Sequence, residues 1–382
     1  MADRTAEARR VLTGPLRRTL DAPQARQLRM RLQRGLEAVR NRVRPHIDLR
    51  SSEGFVADAY RLVFHREADP SGLAHYAALL RHGVSRDELL VKLALSEESM
   101  NRVQAESFVI QNLRELRPDH YEEVTAVDGT PVPVFVARDA ADYDWMERCI
   151  LEYDYYEKPG IWTLGIDADK RRMAEMLSHL QPRRALEIGC SSGAVLSCLR
   201  DRGVDAEGVE ISASAIRRAE PAVRERIHRG DPLSLELDGR YDLVYGLDVF
   251  EHFNPNRLDA YIARVADLTD ANGFVFANVP TYGADRVYGT IWNPHLPVWQ
   301  EDIRERRLFR HLEVDRDGYP LHGHLVWAGS EWWEARFAAA GLRRRPEMER
   351  ALHERFDADL QATPARRAFF IFSRDGEASR AA

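Results

Sequence analysis

The chain has 382 residues, room for two or three domains. With 44% hydrophobic and 30% charged residues it has the balance of a globular protein, which excludes a disulfide-stapled miniprotein and a disordered or fibrous chain. No run of ~18 apolar residues occurs, and the arginine-rich first thirty residues lack an apolar segment. Neither a transmembrane helix nor a secretory signal is therefore expected, and the expected location is cytoplasmic. Three cysteines, Cys149, Cys190 and Cys198, form no CxxC pair, which argues against thiolate zinc and for a reducing compartment.

The net charge of −6 is unevenly placed. Residues 1–50 hold 13 Arg against 5 acidic residues, a balance of +8, and the rest of the chain carries −14. An acidic body repels nucleic acid, so no nucleic-acid partner is expected. Within 22–44, Leu28, Leu32, Leu36, Val39 and Val43 recur at helical spacing among arginines, up to Pro45. This basic amphipathic helix either packs on the acidic body or makes a peripheral contact with an anionic membrane or a glycan assembly.

Residues 51–100 read as a small all-α domain of three short helices. Phe55, Val56, Ala59, Tyr60 and Val63 line the first. Asp69-Pro70 supplies an N-cap and a proline at N1 for the second, which Gly83 ends, and Ser85 with Glu88 makes a capping box for the third. A calcium loop is the competing reading of Glu67, Asp69 and Ser71, but no glutamate follows at EF-hand spacing. The stretch from Phe55 to Ser99, around FHREADPSGLAHY, resembles a bacterial helical domain of unknown function that recurs beside glycosyltransferases and methyltransferases.

Residues 101–150 read as a linker with a hairpin turning at Asp128-Gly129, its Pro131 and Pro133 marking an edge. From 151 to 375 strands alternate with helices, the pattern of an α/β, mostly parallel, doubly wound sheet. The alternation is interrupted at about 282–329 by an excursion too long for a simple connection. It holds Tyr282, Tyr288, Trp292, Trp299, Phe309, Tyr319 and Trp327, and reads as a lid whose rings either face a hydroxylated acceptor or pack on themselves.

Leu186 to Gly193 is a short strand, a glycine-bearing turn and a helix start, the geometry that opens a ligand crevice. As a dinucleotide fingerprint it lacks a glycine at Ser191, and as a G-x-S-x-G elbow it offers Ser191 as the nucleophile of a hydrolase. Glu210, seventeen residues beyond Gly193 at the end of the next strand, is instead placed to accept both hydroxyl protons of a ribose. Asp231 ends a third strand in reach of an adenine amino group.

ALEIGCSSG, GVEIS, GDPLSLE, YDLVYGLDVFEHF and GFVFANVP, in this order, resemble the class I S-adenosylmethionine-dependent methyltransferases. The resemblance implies a seven-stranded Rossmann-like sheet, the cofactor S-adenosyl-L-methionine, and methyl transfer. Carried over by position, Gly189, Cys190, Ser191 and Gly193 lie against the methionine and ribose parts, and Glu187 orders their loop. Glu210 takes the ribose, Ile211 lies on the adenine, Asp231 meets its amino group, and Leu247 and Asp248 border the methionine end.

Asp248, Glu251 and His252 form a turn after the fourth strand. They are the candidate catalytic groups, with His252 a general base oriented by Glu251, a metal ligand, or a cap of its own turn. The D-x-x-E-H turn with the later His324-Leu325-Val326-Trp327 is similar to the metal site of small-RNA 2′-O-methyltransferases, and the turn alone to ubiquinone-pathway O-methyltransferases. That similarity implies a divalent ion on Glu251, His252 and His324, with Asp248 where those families commonly have glutamate. The expected function is O-methylation of a saccharide or other hydroxylated acceptor in cell-surface glycan biosynthesis. The alternatives are a non-catalytic ligand-binding or scaffold protein and the Ser191 hydrolase.

Overall fold

The structure, a computed structural model, describes residues 51–64, 66–94, 96, 98–99, 110–158, 165–237, 239–283 and 287–374. The expected basic helix at 22–44 lies outside the described residues. The chain forms two compact units, 1–104 and 105–382. No helix among the described residues is long and apolar enough to cross a membrane.

The first unit contains helices Ser52–Phe64, Pro70–Arg81 and Arg86–Ala94. Asp69 accepts from Gly72 N–H at 2.8 Å and Ser85 Oγ from Glu88 N–H at 3.2 Å, so the expected caps start the second and third helices. Phe55, Val56, Ala59, Tyr60 and Leu89, at helical spacing, make its core.

The second unit is built on a seven-stranded sheet. Its strands are β3 (Arg184–Ile188), β4 (Asp205–Glu210), β5 (Ile227–Arg229), β6 (Tyr241–Leu247), β7 (Thr269–Asn278), β11 (Leu342–Arg344) and β12 (Phe369–Arg374), in the order β11-β12-β7-β6-β3-β4-β5. β5, β4, β3, β6 and β7 run parallel, and β12 and β11 are added antiparallel. Alternation along the strands fills both faces. In β12, Phe370 and Phe372 enter one core while Phe369 and Ile371 enter the other, as expected of a sheet covered by helices on both sides.

Two features depart from expectation. The hairpin β1 (Tyr121–Thr125) and β2 (Pro131–Val136) is an integral part of this unit rather than a linker. It is completed by β9 (His311–Glu313) from the excursion, in the order β1-β2-β9, so β2 is central and not an edge. The prolines are tolerated because β9 pairs only with Val134, Phe135 and Val136, beyond them. The excursion, whose strands β8 (Thr281–Tyr282) and β10 (Ala328–Gly329) pair in parallel, is also not an aromatic lid. Tyr282, Trp299, Phe309, Tyr319 and Trp327 are buried in a core shared with the hairpin and with helix Ala140–Glu152. Tyr288 is buried in the sheet core, and Trp292 packs against both cores.

Candidate cofactor and acceptor site

At the carboxyl ends of β3, β4 and β6 lies a cavity of about 320 Å³, within the range of small-molecule sites. Its floor is the β3 turn. Gly189 has φ +70, and a Cβ there would lie 2.5 Å from Val249 Cγ2, so only glycine fits. The N–H groups of Gly189 and Cys190 both donate to Val209 O, at 2.9 and 3.0 Å. Cys190, which departs from a glycine-rich turn, fits because Gly208 opposite has no side chain; a Cβ there would be 2.5 Å from Cys190 Sγ.

Glu210 is buried at the end of β4. Its Oε2 accepts Ser191 N–H at 2.7 Å and its Oε1 accepts Ser212 N–H at 2.6 Å. A carboxylate has about four acceptor sites, and with Ile211 N–H also bonded to it Glu210 keeps acceptor capacity for a hydroxyl. Burial raises the Glu210 carboxyl above its usual range, against these N–H bonds. Ile211, 45% exposed, and Asp231 line the cavity beside Glu210. Asp231 Oδ2 accepts the Tyr261 hydroxyl at 2.8 Å, and Oδ1 accepts Leu233 N–H at 2.9 Å.

Every expected cofactor residue except Gly193 lines the cavity. Gly193 starts helix Ala194–Arg200 at φ +70, facing Val223 and Ile227, so its part is conformational. Glu187 is buried beneath the turn and accepts the Tyr245 hydroxyl at 3.0 Å. Burial pushes its carboxyl up to about 8.

Sequence reasoning missed three parts of the wall. Arg366, just before β12, donates to Asn278 Oδ1 at 2.9 Å and pairs with Asp169 and Asp248. Asp169 and Lys170 come from helix Ala168–Ser178. Glu147, Ile150, Leu151 and Tyr156 come from the segment read as a linker and its continuation. The Thr-Pro-Ala-Arg-Arg step into the last strand and the Tyr-Asp-Tyr-Tyr-Glu run were the available signals, but neither carries a spacing rule.

Beside Asp248 and Val249, Glu251, His252 and His324 each bring a ligand atom within 4.8 Å of the others. Glu251 is fully buried, and His324 Nε2 lies 3.8 Å from its Oε1. Backbone N–H groups of Leu325 and Val326 donate to Glu251 O at 2.8 and 2.9 Å, which brings the excursion's return onto the turn. Both Glu251 carboxyl oxygens and His324 Nδ1 are buried without a hydrogen-bond partner among the described residues. Such orphaned groups are costly and fit a missing cation. Ligands 2.0–2.2 Å from one ion lie up to roughly 4.4 Å apart, so a small contraction brings the three together.

Burial lowers His252 to about 4 and His324 well below its usual value, while burial and Asp248 raise Glu251 well above its own. Both imidazoles are therefore neutral near pH 7, as ligation or general-base work requires. Asp248, at φ +51, stands outside this cluster with its carboxylate held by Arg366. Ser191 Oγ is buried and makes no hydrogen bond among the described residues, so the hydrolase reading lacks its base.

Residues 166–345 match a family model described as a methyltransferase domain. The glycine turn and the Glu210 wall are the parts of the cavity on which the expectation of S-adenosyl-L-methionine rests. Residues 48–103 match a domain of unknown function, DUF4214. The ubiquinone biosynthesis O-methyltransferase of Bordetella avium is 27% identical over 110 residues, 27% of this chain and 44% of that protein. The chain spans less than half the length of the curated relatives it matches. Among solved structures, Streptomyces venezuelae DesVI has a TM-score of 0.36 at 16% identity, covering 62% of this chain and 98% of its own. CalS10, an amino pentose methyltransferase from Micromonospora echinaspora, has a TM-score of 0.35 at 18% identity, covering 59% and 96%.

Proposed function

We propose that the methyltransferase domain transfers the methyl group to a hydroxyl oxygen. The observation that carries this reading is the buried Glu251, His252 and His324 cluster beside the methionine end of the cavity. Bound S-adenosylmethionine supplies a methyl group already activated by its sulfonium, so the chain's task is to orient an acceptor and remove its proton. Glu210 would hold the ribose, Asp231 and Ile211 the adenine, and Asp248, Asp169 and Arg366 form the polar wall at the other end. Without an ion, the neutral His252 would be the group that takes the acceptor's proton.

A divalent ion held by Glu251, His252 and His324 would lower the pKa of an acceptor hydroxyl there. The mixed carboxylate and imidazole set favours Mn²⁺, Fe²⁺ or Zn²⁺ over Mg²⁺. The acceptor we assign is a saccharide or similarly hydroxylated molecule of the cell surface, an assignment that rests on the resemblance of the helical unit to a domain found beside glycan enzymes. The aromatic rings of the excursion do not add to it, since they pack a core.

A screen of cell-envelope fractions with radiolabelled S-adenosylmethionine tests the reading. It expects label in an alkali-stable ether on a saccharide, lost with His252→Ala. Label only on amines, or undiminished transfer in that variant, overturns it.

A further inference from the structure

Tyr156 lies ten residues before the matched methyltransferase domain, and no motif of that domain includes it. It is the middle residue of a 3-10 turn, Tyr155–Glu157, entered through Asp154 at φ +54. One side of this turn is fastened to the loop after β4. Ser212 Oγ donates to the Tyr156 carbonyl at 3.3 Å, and the Glu157 carboxylate accepts the N–H groups of Ala213 at 2.7 Å and Ser214 at 2.8 Å. Ser212 N–H is itself the donor to Glu210 Oε1. The turn is thus two hydrogen bonds from the carboxylate assigned to the ribose.

The other side of the turn meets the acceptor end. The Tyr156 hydroxyl is 3.3 Å from His252 Nδ1, with the ring centroids 5.9 Å apart. Gly323, at φ +81, sits against both. A Cβ there would lie 3.0 Å from Tyr155 Cε1, 3.3 Å from His252 Nδ1 and 3.4 Å from Tyr156 Cε1. His252, the turn and the segment leading into His324 are therefore packed closely on one another, and a side chain at Gly323 would press on all three rings. The backbone of Gly323 and of Asp248 also hydrogen-bonds to His252.

An imidazole has one soft torsion at its ring and two nitrogens that differ only in which carries the proton. Its orientation and tautomer are set by the partners of those nitrogens. We propose that Tyr156 is a positioning residue, linking the loop of Glu210 to the imidazole of His252 and fixing that ring's orientation and tautomer beside Glu251 and His324. The proposal rests on the reading of His252 as the acceptor-side group. It gives the segment upstream of the matched domain a part in the chemistry that wall-building alone does not.

The test uses the full chain as wild type, Tyr156→Phe and Ser212→Ala, with histidine-selective ¹⁵N NMR, calorimetry with S-adenosylhomocysteine, and Mn²⁺ titration followed by electron paramagnetic resonance. Tyr156→Phe keeps the ring and its packing and removes only the hydroxyl, and S-adenosylhomocysteine calorimetry separates any loss of cofactor binding from a change at His252. The His252 ring ¹⁵N resonances are expected to shift, and Mn²⁺ affinity to fall about 10–100-fold, the usual effect of losing a partner that orients a ligand. Ser212→Ala removes the one bond of the three between the turn and this loop that ends on Tyr156 itself, and should move the same resonances. Unshifted His252 resonances in Tyr156→Phe overturn the positioning role, and unshifted resonances in Ser212→Ala overturn the link to the Glu210 loop. Absence of Mn²⁺ binding in wild type sinks the metal reading of the site, while the ¹⁵N resonances still decide the role of Tyr156.

Discussion

Glu251 Oε1 and His324 Nε2 lie 3.8 Å apart, with the carboxyl completely buried and the imidazole nearly so. They are 73 residues apart in the chain and are brought together by two N–H groups of Leu325 and Val326 donating to the Glu251 carbonyl. A carboxyl and an imidazole so placed, with no hydrogen-bond partner on either Glu251 oxygen among the described residues, are held at a cost that a ligand recovers.

Glu210→Ala removes the acceptor for two charge-assisted hydrogen bonds, each worth ~1.5–3 kcal/mol. S-adenosylmethionine affinity measured by calorimetry should fall at least tenfold. Unchanged affinity would remove the ribose from Glu210.

Gly189→Ala places a methyl group 2.5 Å from Val249 Cγ2 on a residue at φ +70. Backbone strain of this kind costs ~1–3 kcal/mol, and the clash with the β-branched Val249 adds to it. Chemical denaturation should show a loss of at least ~1 kcal/mol together with weaker cofactor binding. Wild-type stability in this variant would contradict the close approach of the two turns.

Glu187 gives a pH dependence of known sign. Its carboxyl rises from an ordinary 4.5 to about 8, chiefly by burial and slightly by Glu210, against the Tyr245 hydroxyl and Arg366. The folded chain holds this proton where the unfolded chain has lost it. The stabilisation is therefore fully present below about 4.5, declines as pH rises, and is gone above about 8. Glu187→Gln keeps a side chain that accepts from Tyr245 and cannot ionise, so its thermal midpoint should fall less than that of wild type between pH 5 and 8. Equal slopes would show that Glu187 is ionised in the folded chain.

The cavity wall predicts where the chain can be cut. A fragment of residues 105–382 keeps every lining residue and should bind S-adenosylhomocysteine as the full chain does. A fragment starting at residue 166 lacks Glu147, Ile150, Leu151 and Tyr156 and should bind at least tenfold more weakly. Equal binding by the shorter fragment would make the upstream segment dispensable to the pocket.

The parts of the site legible from sequence are those with a local rule. β3, its turn and Glu210 are separated by a spacing that strand and helix lengths dictate, and Asp69 and Ser85 announce caps within four residues. Glu251, His252 and His324 were legible only through the resemblance, because the bonds from Leu325 and Val326 that join them span the whole excursion. Arg366 and Tyr156 were illegible: Arg366 is held in the cavity wall by side-chain contacts with residues 88 to 197 positions away, and the Tyr156 hydroxyl meets a residue 96 positions away. The aromatic run misled because ring content is the same for a lid and for a core. The decision lay in the hairpin β1 and β2, whose Phe135 packs among those rings. The short β11 and helix Pro346–Phe356 were missed as well, the former a three-residue strand without alternation.

Methyl transfer to the envelope saccharide fraction, measured with a chelator-treated, metal-free preparation before and after adding Mn²⁺, tests the central claim most directly. The claim is hydroxyl activation at Glu251, His252 and His324 beside the cofactor held by Glu210. The predicted result is loss of transfer on metal removal and its return with Mn²⁺, with S-adenosylhomocysteine affinity changed less than about twofold throughout. Full transfer by the metal-free protein would contradict the ion and leave His252 alone as the base.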